Sequence, residues 1–188
     1  LTSVIATLGT TAIAANSISY QIIEFPNIPG NTIGLALMVI VGQEIGAGRK
    51  DNAYSYSKRL IKYAYFGDWG AKALLFLLAP IIVGFFPLSS AGTAAAILVL
   101  RCFSIASIAI WPLSFTMPQA LKGAGDVRYS MIVGVLSMWF GRVLASYIMV
   151  KVFNLGILGV WTGMFIDWYI RGISFLIRFR SKSIVFKM

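Results

Sequence analysis

Histidine is absent from this 188-residue chain, and acidic residues number only six. The first absence removes His-based acid–base chemistry. The second leaves little for a hydrolase to use. A single cysteine, Cys102, excludes a disulfide framework within one chain, and with no histidine beside it there is no basis for a zinc or haem site. No catalytic residue, metal site or organic cofactor is therefore expected, and the chain does not read as an enzyme. Charge of both signs is scarce, at 12% against roughly 25% in an ordinary soluble domain. What is abundant is apolar: 59% of residues are hydrophobic, which points to a bilayer as solvent.

The chain begins "LTSVIATLG", already apolar. It has no basic n-region and no small-residue cleavage site, so it is not a signal peptide. It reads as the tail of a membrane helix, and the chain as a fragment. A crossing helix needs about 20 apolar residues. The sequence predicts a partial span over 1–8 and full spans over 11–45, 58–86, 91–121, 129–150 and 156–179. The first full span is too long for one straight crossing, and "FPNIPGN" interrupts it. Pro26, Pro29 and Gly30 should bend it there, as Pro112 and Pro118 should bend the third.

The formal charge of +10 raises the question of nucleic acid. Placement answers it. Arg49, Lys50, Lys58, Arg59, Lys62, Lys122, Arg128, Arg178, Arg180, Lys182 and Lys187 fall on one side of the predicted spans; the opposite loops offer only Lys151. This is the positive-inside pattern, so a cytoplasmic C-terminus in a multi-pass plasma membrane protein, bacterial by its character, is expected. No soluble domain carries a nucleic-acid-binding face. Two of the inner loops repeat a phrase, "QEIGAGRKD" and "QALKGAGDVR". Neither has Walker or GxGxxG spacing. Both read as helix ends at which glycine accepts φ > 0 and charge follows at the headgroup level.

Some charges remain inside the spans, where such groups face a bundle interior or a water-filled cavity. Asp68 and Lys72 are four apart, as are Asp167 and Arg171, so each pair shares a helix face and reads first as structural. Arg101 and Arg142 need a partner from another helix, and Asp167 and Glu24 are the available acids. Glu24 lies two residues before Pro26 with Gln21 nearby. Carbonyls freed by proline beside a carboxylate can hold a cation; the alternative is a carboxylate permanently paired to an arginine. Trp111 precedes Pro112 and offers a cation–π face, although packing is the commoner use. Trp161 follows an outer loop and reads as an interfacial anchor. Glu24, Gln21, Trp111 and Arg101 are the ion- or substrate-binding candidates. Asp68, Lys72, Arg142, Asp167 and Arg171 are the structural intramembrane set.

The stretches "LGTTAIAANSISYQI", "VGQEIGAGRKDNA", "PQALKGAGDVRYS", "SMWFGRV", "LGILGVWTGM" and "DWYIRGISFLIRF", in this order, resemble the C-terminal half of a multidrug and toxic compound extrusion (MATE) transporter. The resemblance covers the whole chain. It implies an all-α integral membrane protein of twelve helices in two six-helix lobes. Residues 1–188 would be the C-terminal lobe, with a partial first helix and five full ones, and the N-terminal lobe would be a missing partner. It further implies export of small organic cations coupled to Na⁺ or H⁺ entry, with membrane lipids as surroundings. Ion-site carboxylates of one branch of the family occur on helices seven and ten, and those of another on helix one. The span over 91–121 has no Asp or Glu, so these sites are not carried onto this chain. Two alternatives stand beside the antiporter. One is a lipid-linked oligosaccharide or polysaccharide flippase of the same superfamily, expected to line a cavity with several arginines. The other is a non-transporting membrane remnant.

Overall fold

In lipid no water can satisfy a bare backbone, so apolar runs of this length fold as helices that bond internally. The computed structural model describes Ile5 and residues 9–181, and these residues form five long helices. They are α1 (Thr10–Gly46), α2 (Lys50–Gly84), α3 (Ser90–Gly123), α4 (Val127–Lys151) and α5 (Gly156–Arg180). The first four are long and apolar enough to cross a membrane. The fifth matches α4 in length, at 25 residues, but carries Asp167 and Arg171 in its middle. Ile5 packs on Val150 and Val160. The rest of the expected 1–8 span, and Lys182 and Lys187, lie outside the described residues.

Two expectations change in detail. The phrase "FPNIPGN" does not end α1, which runs for 37 residues with Pro26 and Pro29 inside it. The two prolines leave the carbonyls of Ile22 and Phe25 without their i+4 donors, yet packing against neighbouring helices keeps the segment helical. Helix α2 begins at Lys50, eight residues before the expected span, because the polar turns of "KDNAYSYSK" extend the helix beyond its apolar stretch.

The repeated Gly-Ala-Gly phrase is one cap used twice. Gly48 has φ 76° and Gly125 has φ 88°, the left-handed region that glycine enters without a Cβ penalty. At the first cap the Arg49 N–H donates to the Glu44 carbonyl at 2.8 Å, and at the second the Asp126 N–H donates to the Leu121 carbonyl at 2.9 Å. This six-to-one bond is the Schellman closure. Each cap turns the chain sharply into the next helix.

The helices pack around two apolar clusters. One, nearer the Thr10 end of α1, includes Ile22, Leu75, Val99, Phe103, Trp161 and Trp168. The other, nearer the Gly-Ala-Gly loops, includes Leu37, Val41, Ile61, Leu121 and Phe175. Charged side chains are buried at the level between them: Asp68 and Lys72 on α2, and Asp167 on α5. Outward-facing side chains such as Leu77, Ile81 and Phe140 are large, apolar and exposed, which suits lipid rather than water.

Two helices depart from α geometry at this middle level. Residues Pro112–Thr116 of α3 and Met138–Leu144 of α4 are π-helical. The first contains the expected proline. The second contains none, and no expectation anticipated it. An extra residue in a turn re-aims the side chains around it, and such turns recur at functional sites.

Candidate functional site

A cavity of about 210 Å³ opens between α1, α3, α4 and α5 at the level of the two π-turns. Helix α1 contributes Tyr20, Glu24 and Asn27; α3 contributes Trp111 and Phe115. Arg142 enters from the π-turn of α4, and Trp161, Met164 and Trp168 from α5. A larger groove, about 340 Å³, lies between α1 and α2 and is lined by Ile22, Phe25, Pro26 and leucines of α2. It offers no charged or hydrogen-bonding side chain, so it suits lipid chains better than a charged ligand.

Glu24 is exposed on the cavity face and makes no ion pair with any described residue. Its neighbours across the cavity are aromatic. Trp111 and Phe115 stack at 4.8 Å between ring centres and 24° between planes. Trp111 is itself held from behind the cavity wall. Lys72 Nζ lies 4.9 Å from its ring centre, and 5.6 Å from that of Phe103. Lys72 is ion-paired to Asp68, and both side chains are fully buried. A Cβ on Gly30 would collide with the Trp111 ring, so the absence of a side chain there lets α1 approach it.

Asp167 is fully buried and takes two arginines. Arg171 donates from Nε at 2.8 Å and from Nη2 at 2.5 Å, and Arg142 donates from Nη2 at 2.8 Å. A Cβ on Gly141 would sit 2.8 Å from the Asp167 Cα, so this glycine lets α4 close on α5 and deliver Arg142. One carboxylate against two guanidinium groups leaves a surplus positive charge at the cavity wall. Arg142 Nε, Trp161 Nε1, Trp168 Nε1 and Asn27 Oδ1 are buried without a hydrogen-bond partner.

Of the four ion- or substrate-binding candidates, the structure brings Glu24 and Trp111 to one cavity. Gln21 is exposed and is not among the residues lining it. Arg101 stands apart, its guanidinium 5.4 Å from the Phe76 ring centre, with no carboxylate of the described residues in ion-pair range. The pairing of Arg101 with Glu24 or Asp167 is therefore corrected: Arg101 faces outward beside α2. Ile22 and Phe25, whose carbonyls the prolines free, line the apolar groove, while Glu24 lines the cavity. Trp161 is not an interfacial anchor. It is 1% exposed and packs on Tyr20 at 5.0 Å.

Asn27 and Trp168 were not anticipated at the cavity, whereas Arg142 was expected to take an acid from another helix and takes Asp167. The asparagines Asn16, Asn27 and Asn31 in an otherwise apolar helix were a usable signal. For Arg142 the signal was "GRV", a small residue beside an intramembrane arginine.

The family model MatE matches residues 1–148. Three curated proteins are similar along most of the chain. A probable multidrug resistance protein NorM of Thermotoga maritima is 26% identical over 92% of this chain and 37% of its own length. The uncharacterized transporter YisQ of Bacillus subtilis is 23% identical over 97% of this chain and 40% of its own. A probable NorM of Halalkalibacterium halodurans is 25% identical over 87% and 36%. Among solved structures, the inward-facing conformation of a multidrug resistance MATE family transporter of the MOP superfamily superposes with a TM-score of 0.86. It is 21% identical, covering 98% of this chain and 43% of that one. The chain thus spans about two-fifths of the length of the proteins it matches.

Proposed function

We propose, on the premise that this chain belongs to the MatE family, that it is the C-terminal lobe of a cation-coupled antiporter exporting drug-like organic cations. In this reading the Gly-Ala-Gly loops and the C-terminus face the cytoplasm, the membrane is the plasma membrane, and an N-terminal lobe completes the transporter. The protein is a carrier and performs no covalent chemistry.

One observation carries this reading: Glu24, a carboxylate with no ion-pair partner among the described residues, borders a cavity walled by Trp111 and Phe115. Stacked rings beside a carboxylate suit a flat cation, which gains both charge pairing and attraction to the ring faces. Antiport needs the ion and the substrate to favour different states of the same cavity, since a ligand of equal affinity for both shifts nothing. Glu24 meets that need by exchanging partners: organic cation in one state, and proton, Na⁺ or the surplus charge at Arg142 in the other.

The oligosaccharide-flippase alternative fits less well. It needs free arginines for a diphosphate, and here Arg142 is engaged by Asp167 while Arg101 stands outside the cavity. Transport by the complete protein in proteoliposomes is the test. A fluorescent organic cation should move against its gradient when Na⁺ or H⁺ is imposed in the opposite direction. Movement of a lipid-linked sugar without response to either gradient would refute the exporter.

A further inference from the structure

A third opening, of about 470 Å³, runs along α4 from Val127, beside the second Gly-Ala-Gly cap, to Met138 at the π-turn. Its floor is an apolar stripe of Val127, Met131, Val135 and Met138, all exposed and spaced to share one helix face. From Val127 to Met138 the helix rises about 16 Å, close to half of a hydrocarbon core of about 30 Å, so the stripe is as long as one leaflet is deep. Two cations border the groove, Lys122 and Arg171, and no carboxylate does. Lys122 lies in the last turn of α3, exposed and with no carboxylate of the described residues in ion-pair range. Arg171 gives Asp167 only Nε and Nη2, and shares that one carboxylate with Arg142, so the surplus positive charge at the cavity wall reaches this groove too. Gly134 is the telling member of the lining. Glycine lowers helix stability relative to alanine, and packing does not call for it here, since an added Cβ would meet nothing within 4 Å. Its missing side chain leaves the groove open at mid-length.

We infer that this groove binds an anionic phospholipid from the leaflet on the Gly-Ala-Gly side, with its phosphate at Lys122 and one acyl chain along the α4 stripe. Basic pockets between membrane helices take such headgroups. Charge and shape together select the occupant. A zwitterionic lipid would bring its own cation against Lys122. A free inorganic anion would leave the apolar stripe uncovered. An organic cation would meet two positive charges and no acid. The groove between α1 and α2 is the contrast: it is apolar but uncharged, so it should hold chains without choosing among headgroups. Asp167 joins Arg171 to Arg142, so the lipid site lies one carboxylate away from the cavity. Only the assignment of the leaflet to the cytoplasm rests on the orientation proposed above.

The test uses the complete transporter in phosphatidylcholine vesicles that carry a trace of photoreactive lipid. The probe is either phosphatidylglycerol or phosphatidylcholine, with the same diazirine-bearing chain. After irradiation, label is mapped to the tryptic peptide 129–142, which holds Met131, Val135 and Met138. Phosphatidylglycerol should label it several-fold more than phosphatidylcholine. Lys122→Gln should remove most of that excess. Gly134→Leu should do the same, since it fills the groove and leaves every charge in place. Lys62→Gln removes an exposed cation near the same end of the bundle, on α2, and should keep the excess. Equal labelling by the two lipids overturns the site. So does an excess that falls as far in Lys62→Gln as in Lys122→Gln, or one that persists in Gly134→Leu. Neither transport nor orientation enters this measurement, so its failure would leave the exporter reading standing.

Discussion

Lys72 holds its ammonium 4.9 Å from the centre of the Trp111 ring, and the same ring forms a wall of the cavity that Glu24 borders. A fully buried ion pair on α2 thus stands behind the surface offered to a ligand. The pair and the cavity are coupled through one aromatic side chain, so their mutational effects should be separable only by a paired change.

Lys72→Met should destabilise the protein strongly. It leaves the Asp68 carboxylate alone in an apolar setting, and breaking a buried pair in this way typically costs about 3–5 kcal/mol. The double change Asp68→Leu with Lys72→Met removes both charges and should recover most of that loss. Thermal unfolding of detergent-solubilised protein, read by fluorescence-detected size exclusion, makes the comparison. A double variant no more stable than Lys72→Met would contradict a purely pairwise role.

Asp167→Asn should lower the amount of protein in the membrane. It removes the shared negative charge from Arg142 and Arg171 at once, a loss again of about 3–5 kcal/mol by analogy with other buried pairs. Immunodetection in membrane fractions would show it. Normal abundance with transport selectively lost would assign Asp167 to function instead.

The two caps predict a contrast among glycines. Gly48→Ala and Gly125→Ala force a Cβ into the left-handed region and should each cost about 1–2 kcal/mol. Gly46→Ala sits in α1 with open space around the added methyl, so it should be neutral or slightly stabilising. Unfolding midpoints of the three variants test this.

Topology has its own check. Arg49→Cys should react with an impermeant thiol reagent only after the inner face is opened, and Ser90→Cys should react in intact cells. Labelling of Arg49→Cys from outside would invert the proposed orientation.

The spans were legible because apolar length is nearly unambiguous in a bilayer, and the i, i+4 pairs because helical spacing fixes which side chains meet. The Gly-Ala-Gly ends were legible because a left-handed cap demands glycine. The inward faces were not. Helices that are apolar all round carry no periodic stripe to show which side packs inside, so Trp161 read as an anchor and Arg101 as a buried partner. Nor does a sequence without proline announce a π-turn, and it is the turn at Met138–Leu144 that carries Arg142 to the cavity.

The central claim is that Glu24 couples export to an ion gradient. Glu24→Gln keeps the size and hydrogen-bonding capacity of the side chain and removes its charge. Since Glu24 supports no ion pair among the described residues, insertion and folding should stay near normal. The direct measurement is export of a fluorescent organic cation in membrane vesicles from cells making the complete transporter, with Na⁺ or H⁺ gradients imposed. The account predicts that the Gln variant loses most of its dependence on the gradient. A Gln variant that responds to the gradient as fully as the parent would make Glu24 a bystander and place coupling outside this lobe's cavity.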